Sequence, residues 1–162
     1  MFQLGKERYA LEASRVVEVA PLLALKRLPQ APKGVAGIFN YRGRPVPALD
    51  LSELALGIPS SERLSTRIIV VNYQTAHGPS HLLGLIAEHA TEMLRKDPKE
   101  FVEPGLKIED APYLGPVLID SHGAIQWLDT QRLLSESTRS LLFSNSPEPA
   151  GQAQGPNDLS AA

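Results

Sequence analysis

The apolar residues recur in short segments separated by glycine, proline and polar clusters, a pattern typical of strands and turns rather than helices. It predicts a mostly β protein of about ten short strands. The segments predicted to pair as hairpins are 2–5 with 8–12, 35–41 with 44–51, and 113–120 with 124–128. The other predicted strands are 15–19, 25–28, 66–73 and 80–93, the last with a bend near Gly84 or His89.

Two segments favour helices. One or two helical turns are predicted over 50–56, where Asp50 or Ser52 can cap the first turn. Asp129 can cap a terminal helix through about Leu142, with a leucine stripe on one side. We expect this helix to pack on the sheet.

The prolines of the segment 44–51 bear on its place in the sheet. Pro45 and Pro47 cannot donate hydrogen bonds, so this strand is expected at an edge with its prolines facing away from the paired side. The strand count is compatible with one large sandwich or with two small barrels. The brevity of the strands favours two barrels.

Composition limits the function. Of the 162 residues, 43% are hydrophobic and 21% charged, as in globular proteins, and the net charge is −2. Nucleic acid is therefore not an expected partner, because phosphate binding needs a basic excess. The chain has no cysteine, which excludes disulfides and thiolate chemistry. No apolar run could span a membrane and no secretory signal is visible, so we predict a cytoplasmic protein without direct membrane insertion.

Composition changes near Phe143. Proline, glycine and small polar residues dominate 144–162, where Leu159 is the only large apolar residue. Such a segment buries too little surface to offset the entropy of ordering. We predict a folded region over 1–143 and a disordered tail over 144–162.

Catalytic motifs are not evident. The sequence has no nucleophile elbow, phosphate-binding glycine loop or dinucleotide fingerprint. His77, His81 and His89 lie close together in the sequence, which leaves a small-molecule or metal-dependent enzyme using loop 77–89 as an alternative function. Pro79 makes a shared helical face for these histidines unfavourable, so no metal site and no cofactor are expected.

The segment 37–51 is the most informative. Its simplest interpretation is a hairpin with a glycine turn and a solvent-exposed arginine. Alternatively, Arg42 at the hairpin tip can bind a carboxylate while its stem lies on apolar surface. Glu18, on an earlier strand, is one candidate partner.

In this segment, Asn40-x-Arg42-Gly43 is followed by Val46-Pro47-x-Leu49-Asp50-Leu51. This motif resembles the most characteristic motif of the CheW-like domain, the adaptor module of bacterial chemosensory arrays. Further matching segments, in the family's order, are Phe2-x-Leu4-Gly5, Val16-x-Glu18-Val19, Thr66 to Val71, Leu83 to Ile86, Tyr113-Leu114-Gly115 and Leu128-Asp129. Together they cover about 1–143.

The resemblance implies two five-stranded SH3-like barrels packed side by side, with a C-terminal helix and no catalysis. It also implies an adaptor that couples methyl-accepting chemoreceptors to a CheA-type histidine kinase. The receptor's cytoplasmic tip would dock in an apolar groove between the barrels. The kinase regulatory domain and other CheW-like domains would join neighbouring barrels, and the adaptor would be recruited to membrane-associated receptor arrays.

The resemblance also implies partner-binding residues. Val16 and Glu18 match groove positions, Arg42 matches the motif arginine near the groove, and Met93 matches an apolar groove position. Gly37 matches a site where added bulk disturbs kinase coupling, although a backbone role for this glycine is an equal alternative. The predicted partner-binding set is Val16, Glu18, Gly37, Asn40, Arg42, Gly43 and Met93.

Overall fold

The computed structural model describes residues 1–75 and 77–144. Within these ranges the strands are β1 (Phe2–Leu4), β2 (Glu7–Ala10), β3 (Val16–Pro21), β4 (Val35–Tyr41), β5 (Arg44–Asp50), β6 (Arg67–Gln74), β7 (Ser80–Ala87), β8 (Leu114–Asp120) and β9 (Gly123–Leu128). The helices are α1 (Leu51–Leu56) and α2 (Glu136–Phe143). Three 3-10 turns cover Ala13–Arg15, Pro98–Glu100 and Thr130–Arg132.

The strands form two sheets. The first has the order β1-β2-β9-β8 and joins the two ends of the folded chain, because β2 pairs parallel with β9. The second has the order β3-β6-β7-β5-β4 and contains the middle of the chain. The predicted hairpins are therefore all present, and the mostly β fold with few helices is confirmed.

Strand β6 shows how one sequence segment serves two cores. Its apolar residues are buried on both faces. Ile69, Val71 and Tyr73 pack into a core shared with β1 and the segment after β9. Ile68 and Val70 point to the opposite face, into a second core that also contains Phe39 and Val46. A smaller third core lies within the first sheet, around Ala10, Leu118 and Ile125.

Isolated bridges extend both sheets. Lys26 and Ile38 exchange two backbone hydrogen bonds of 2.8 and 2.9 Å, which cover the free edge of β4. The predicted strand 25–28 is therefore reduced to a single bridge at Lys26. In the first sheet, Gln3 pairs with Glu88, and Val102 pairs with Val117. Among the described residues, strand pairing alone does not close either sheet into a ring, and the first sheet has four strands rather than five.

Strand β5 lies inside its sheet, contrary to the predicted edge position. It pairs with β4 along its length but with β7 only at Ala48, Leu49 and Asp50. Pro45 and Pro47 belong to the other half, which has β4 as its only strand neighbour. The edge rule for proline therefore holds locally, although not for the whole strand.

The predicted terminal helix is interrupted. Asp129 caps only the 3-10 turn, and Ser135 caps α2 by accepting a hydrogen bond from the Thr138 amide. Leu133 and Leu134, which lie between the two caps, pack into the shared core. The 3-10 turn ends where these leucines begin. Strand β7 ends at Ala87 rather than at 93, and the predicted bend at His89 has φ 51°. Apart from Ser144, the predicted disordered tail lies outside the described residues.

Candidate functional site

The tip of the β4–β5 hairpin presents Arg42. Arg42 and Gly43 both have positive φ, 51° and 83°, as a two-residue type I′ turn requires. The Asn40 side chain accepts a hydrogen bond of 2.7 Å from the Gly43 amide, which fixes the turn. Asn40 and Gly43 thus set the position of Arg42.

Glu18 is the partner of Arg42, as one interpretation of the sequence predicted. An Arg42 Nη2 lies 3.0 Å from Glu18 Oε2, and the Tyr41 hydroxyl donates to the same oxygen at 2.7 Å. The Arg42 guanidinium lies 5.3 Å from the centre of the Tyr41 ring, at cation–π distance. We call these three residues the tip cluster.

The tip cluster connects the two outer strands of the second sheet. Glu18 belongs to β3 and Tyr41 to β4, and these strands are at opposite ends of the strand order. Their contact therefore curls the sheet toward a barrel. The hydrogen bond to Glu18, followed by burial, raises the pKa of the Tyr41 hydroxyl, because both disfavour the phenolate.

A groove of about 690 Å³ lies between the two sheets. Val16 and Val19 of β3 line one side, and Phe2 and Trp127 of the first sheet line the other. The segment after β7 borders it and contributes Met93, a residue that is 86% exposed. The charged residues that also line it are Glu12, Arg67, Glu92 and Lys96. An apolar floor with charges around it has the anatomy of a protein-binding surface.

A β-bulge in β3 separates the groove from the tip cluster. Val16 pairs with Val71 and Glu18 with Val70, so one extra residue, Val17, lies between two consecutive ladder positions. Val16 and Val19 consequently share the groove face, whereas Glu18 lies on the opposite face. The structure therefore does not place Glu18 and Arg42 among the groove-lining residues.

Gly37 is buried and lies against backbone. Its φ is 148°, and a Cβ added there would be 2.3 Å from the Lys26 carbonyl oxygen. Any side chain would disrupt the bridge between Lys26 and Ile38. The close approach of the Lys26 backbone gives this glycine a backbone role.

Several groove residues were not in the predicted set. Val19, Phe101 and Trp127 line the groove beside Val16 and Met93. Regular alternation would place Val19 on the face opposite Val16, and only the bulge brings it to the groove, so no sequence pattern suggested it. Trp127, the only tryptophan, carries no sequence signal that separates a groove position from a core position.

The histidines of loop 77–89 do not form a common site. His81 stacks on Phe143 with ring centres 4.4 Å apart, whereas His77 lines a different, polar cleft. Residues 1–75 and 77–144 contain no group of three or more His, Cys, Asp or Glu placed to hold a metal ion. In the same residues, no helix has the length and apolarity needed to cross a membrane.

Two small sheets around a shared core, with an apolar groove between them, define a β-rich module. A family model described as the CheW-like domain matches residues 1–138. The chain belongs to this family, and the resemblance drawn from the sequence is confirmed.

Curated relatives carry the name Chemotaxis protein CheW. The relative from Helicobacter pylori is 28% identical over 95 residues, which cover 58% of this chain and 54% of that protein. The relative from Rhizobium meliloti is 27% identical over 93 residues, which cover 57% of each. The chain thus spans about half the length of these two relatives. The relative from Treponema pallidum is 24% identical over 140 residues, which cover 83% of this chain and 79% of that protein.

A solved structure has the same fold. It is the scaffolding protein TtCheW from Thermoanaerobacter tengcongensis, which superimposes with a TM-score of 0.72 at 22% sequence identity. The match covers 85% of this chain and 86% of that one.

Proposed function

We propose that the protein is a non-enzymatic adaptor that couples methyl-accepting chemoreceptors to a CheA-type histidine kinase in a bacterial chemosensory array. Residues 1–143 would form the adaptor domain, with one subdomain around each sheet. The protein would reside in the cytoplasm and join receptor arrays at the membrane. Family membership supports the adaptor role, and the groove between the sheets is the single observation that carries the proposal.

The groove fits a helical receptor tip. Its apolar floor can bury the apolar face of a helical hairpin, while Arg67 and Glu92 at its border can set the register of the bound helices. Such rim charges give specificity more than affinity. The partner is therefore an amphipathic helical segment rather than an extended peptide.

The tip cluster supports a second contact. It lies on the face of β3 away from the groove, and the Arg42 side chain is 75% exposed. We assign this surface to the kinase regulatory domain and the groove to the receptor. Coupling between the two partners would pass through β3, which has one partner surface on each face.

The first experiment compares neighbouring valines. Val16→Asp and Val19→Asp place a charge in the groove, whereas Val17→Asp places the same charge on an exposed residue that does not line it. We expect the groove variants to weaken binding of a receptor-tip fragment by tenfold or more, about 1.4 kcal/mol, and Val17→Asp to bind normally. Calorimetry measures the affinity, and thermal unfolding checks the fold. Val19→Asp keeps the test valid if Val16→Asp disturbs the adjacent core.

The second experiment compares two arginine variants. Arg42→Ala removes the exposed guanidinium of the tip cluster. Arg44→Ala is the matched control, because Arg44 is separated from Arg42 only by Gly43 and does not belong to the tip cluster. We expect Arg42→Ala to weaken binding of the kinase regulatory domain, to leave receptor binding close to normal, and to unfold at the normal temperature. Unchanged binding of both partners by folded groove and tip variants would contradict the proposal.

The alternative function has a separate test. A metal-dependent enzyme using loop 77–89 requires that the loop bind a metal ion. Titration of the full chain with zinc or nickel, followed by calorimetry, should give no heat of specific binding. Binding at micromolar metal that His77→Ala and His81→Ala abolish would favour the alternative instead.

A further inference from the structure

A polar cleft of about 520 Å³ lies apart from the groove. Four separate elements meet there: the 3-10 turn before β3, the end of β6, the 3-10 turn after β9, and α2. They contribute Arg15, Gln74, Gln131 and Arg139 respectively, and Thr75, His77 and Gly78 complete the lining. None of the described residues that line the cleft is an aspartate or a glutamate. The cleft therefore combines two guanidinium groups with no lining carboxylate.

Arg139 is held in place by a neutral partner. Its Nε donates a hydrogen bond of 2.9 Å to the Tyr73 hydroxyl, and Tyr73 is buried. Within the described part of the chain, its two Nη groups make no hydrogen bond or ion pair. The guanidinium is thus oriented while the donors that match a tetrahedral oxyanion are left open.

Arg15 is only weakly neutralised. Its nearest carboxylate is Glu12, with Nε 3.8 Å from Oε2, and both side chains are substantially exposed. An exposed pair at this distance contributes little. Arg15 therefore retains most of its capacity to bind an anion.

Gln131 carries an unsatisfied donor. Its Oε1 accepts a hydrogen bond of 3.1 Å from the Gln74 amide, which assigns the orientation of the side-chain amide. Its Nε2 is then a donor that is buried with no hydrogen-bond partner among the described residues. A buried donor without a partner costs free energy, which an incoming acceptor would relieve.

From these observations we propose that the cleft binds a phosphoryl group, carried by a small molecule or by a phosphorylated side chain. Phosphate oxygens accept hydrogen bonds bidentately from guanidinium groups, and Gln131 Nε2, which is buried, would donate to a further oxygen once the side-chain amide turns toward the cleft. The cleft is larger than a lone phosphate, which indicates that the group is attached to a larger molecule. The proposal does not depend on the adaptor function, because no residue of the cleft lines the groove.

The test is a titration of the isotope-labelled full chain with inorganic phosphate, followed by amide NMR. We expect saturable shifts at Gln74, Gln131 and Arg139. Gln131→Glu keeps the acceptor for the Gln74 amide but replaces the Nε2 donor with a negatively charged oxygen. It should weaken phosphate binding by about tenfold or more, since it replaces one hydrogen bond with repulsion.

Arg132→Gln is the matched control. Arg132 is a neighbour of Gln131, but its Nε lies 3.6 Å from Asp129 Oδ2 and it does not line the cleft. This variant should bind phosphate normally, whereas Arg139→Gln should bind it weakly and still show a cooperative unfolding transition. The proposal is overturned if phosphate causes no saturable shift, or if Gln131→Glu binds as tightly as the unmodified chain.

O-phosphoserine and serine distinguish the source of the phosphoryl group. Tighter binding of O-phosphoserine than of inorganic phosphate, with no binding of serine, supports a phosphorylated side chain. Equal affinities for the two phosphate compounds support a small free phosphate compound. Binding of serine as tight as that of O-phosphoserine would overturn the proposal, because the phosphoryl group would then contribute nothing.

Discussion

Each sheet contains one arginine paired with a carboxylate from another strand, and the two pairs differ in kind. Arg8 binds both oxygens of Asp120, at 2.5 and 3.1 Å, and also donates to the Gly123 carbonyl at 2.9 Å. Its side chain is 16% exposed, whereas that of Arg42 is 75% exposed. Arg42 makes a single contact with Glu18. Arg8 therefore holds strands together, while Arg42 keeps most of its donors exposed to solvent.

Gly37 belongs with Arg8 among the residues that hold the fold, although it lies in the same sheet as Arg42. Gly37→Ala should cost about 2–4 kcal/mol of unfolding free energy, because its Cβ would overlap the Lys26 carbonyl oxygen. Gly43→Ala is the control: its added Cβ meets nothing within 4 Å, and only the positive φ is strained, which costs about 1 kcal/mol. Urea unfolding measures both. Equal losses would show that crowding at Gly37 is unimportant.

Substitution of Arg8 and of Arg42 should affect the stability of the fold differently. Arg8→Ala removes the bidentate pair and leaves Asp120 partly shielded without its partner, so we expect a clear fall in Tm. Arg42→Ala should leave Tm nearly unchanged, because the lost pair is exposed. Differential scanning calorimetry of both variants provides the measurement. If Arg42→Ala lowers Tm as much as Arg8→Ala, the distinction between the two pairs fails.

Low pH should weaken the ion pair between Arg8 and Asp120. The hydrogen bonds from Arg8 and then from the His122 amide lower the pKa of Asp120 from 3.8 to about 2. The stabilisation of the fold by the ionised Asp120 side chain is therefore complete above pH 3.8 and is lost as the pH falls through about 2. Unfolding measured across this range should show a pH dependence that Asp120→Asn reduces. An identical pH dependence in the variant would exclude Asp120 as its source.

The smallest expected effect is a loss of stability at alkaline pH, when the Tyr41 hydroxyl of the tip cluster ionises. Since Glu18 raises the pKa of Tyr41 above 10.0, this contribution to stability is present below pH 10.0 and is lost as the pH rises through the raised value. Glu18→Gln should bring the pKa of Tyr41 back toward 10.0. NMR titration of the Tyr41 ring measures the change, with Tyr113 as an internal reference. A constant Tyr41 pKa would show that its hydrogen bond to Glu18 is absent in solution.

Local signals in the sequence were sufficient for much of the fold. The turn at Arg42 and Gly43 and the cap at Asp50 follow from the conformational preferences of those residues, and both were predicted. The pairing of Glu18 with Arg42 was also predicted, as one alternative, because an arginine at a hairpin tip can reach a carboxylate and Glu18 lies on an earlier strand. These features depend on residues near one another or on simple charge complementarity.

The features that were missed depend on the assembled structure. The position of β5 next to β7 follows from a parallel pairing that no local pattern encodes. The terminal helix is broken because Leu133 and Leu134 are drawn into the shared core, where burial outweighs helix propensity. The bulge at Val17 was also not predicted, and it puts Val16 and Glu18, which the resemblance assigned to one groove, on opposite faces of β3.

The bulge has a consequence for how the chain tolerates changes in length. Val17 is a supernumerary residue, so deleting it would restore an uninterrupted ladder and keep Val16 and Glu18 on their present faces. Inserting a residue into the regular part of β3, between Val19 and Ala20, would instead reverse every side chain that follows. Strand β3 should therefore tolerate the deletion of Val17, but it should not tolerate an insertion between Val19 and Ala20.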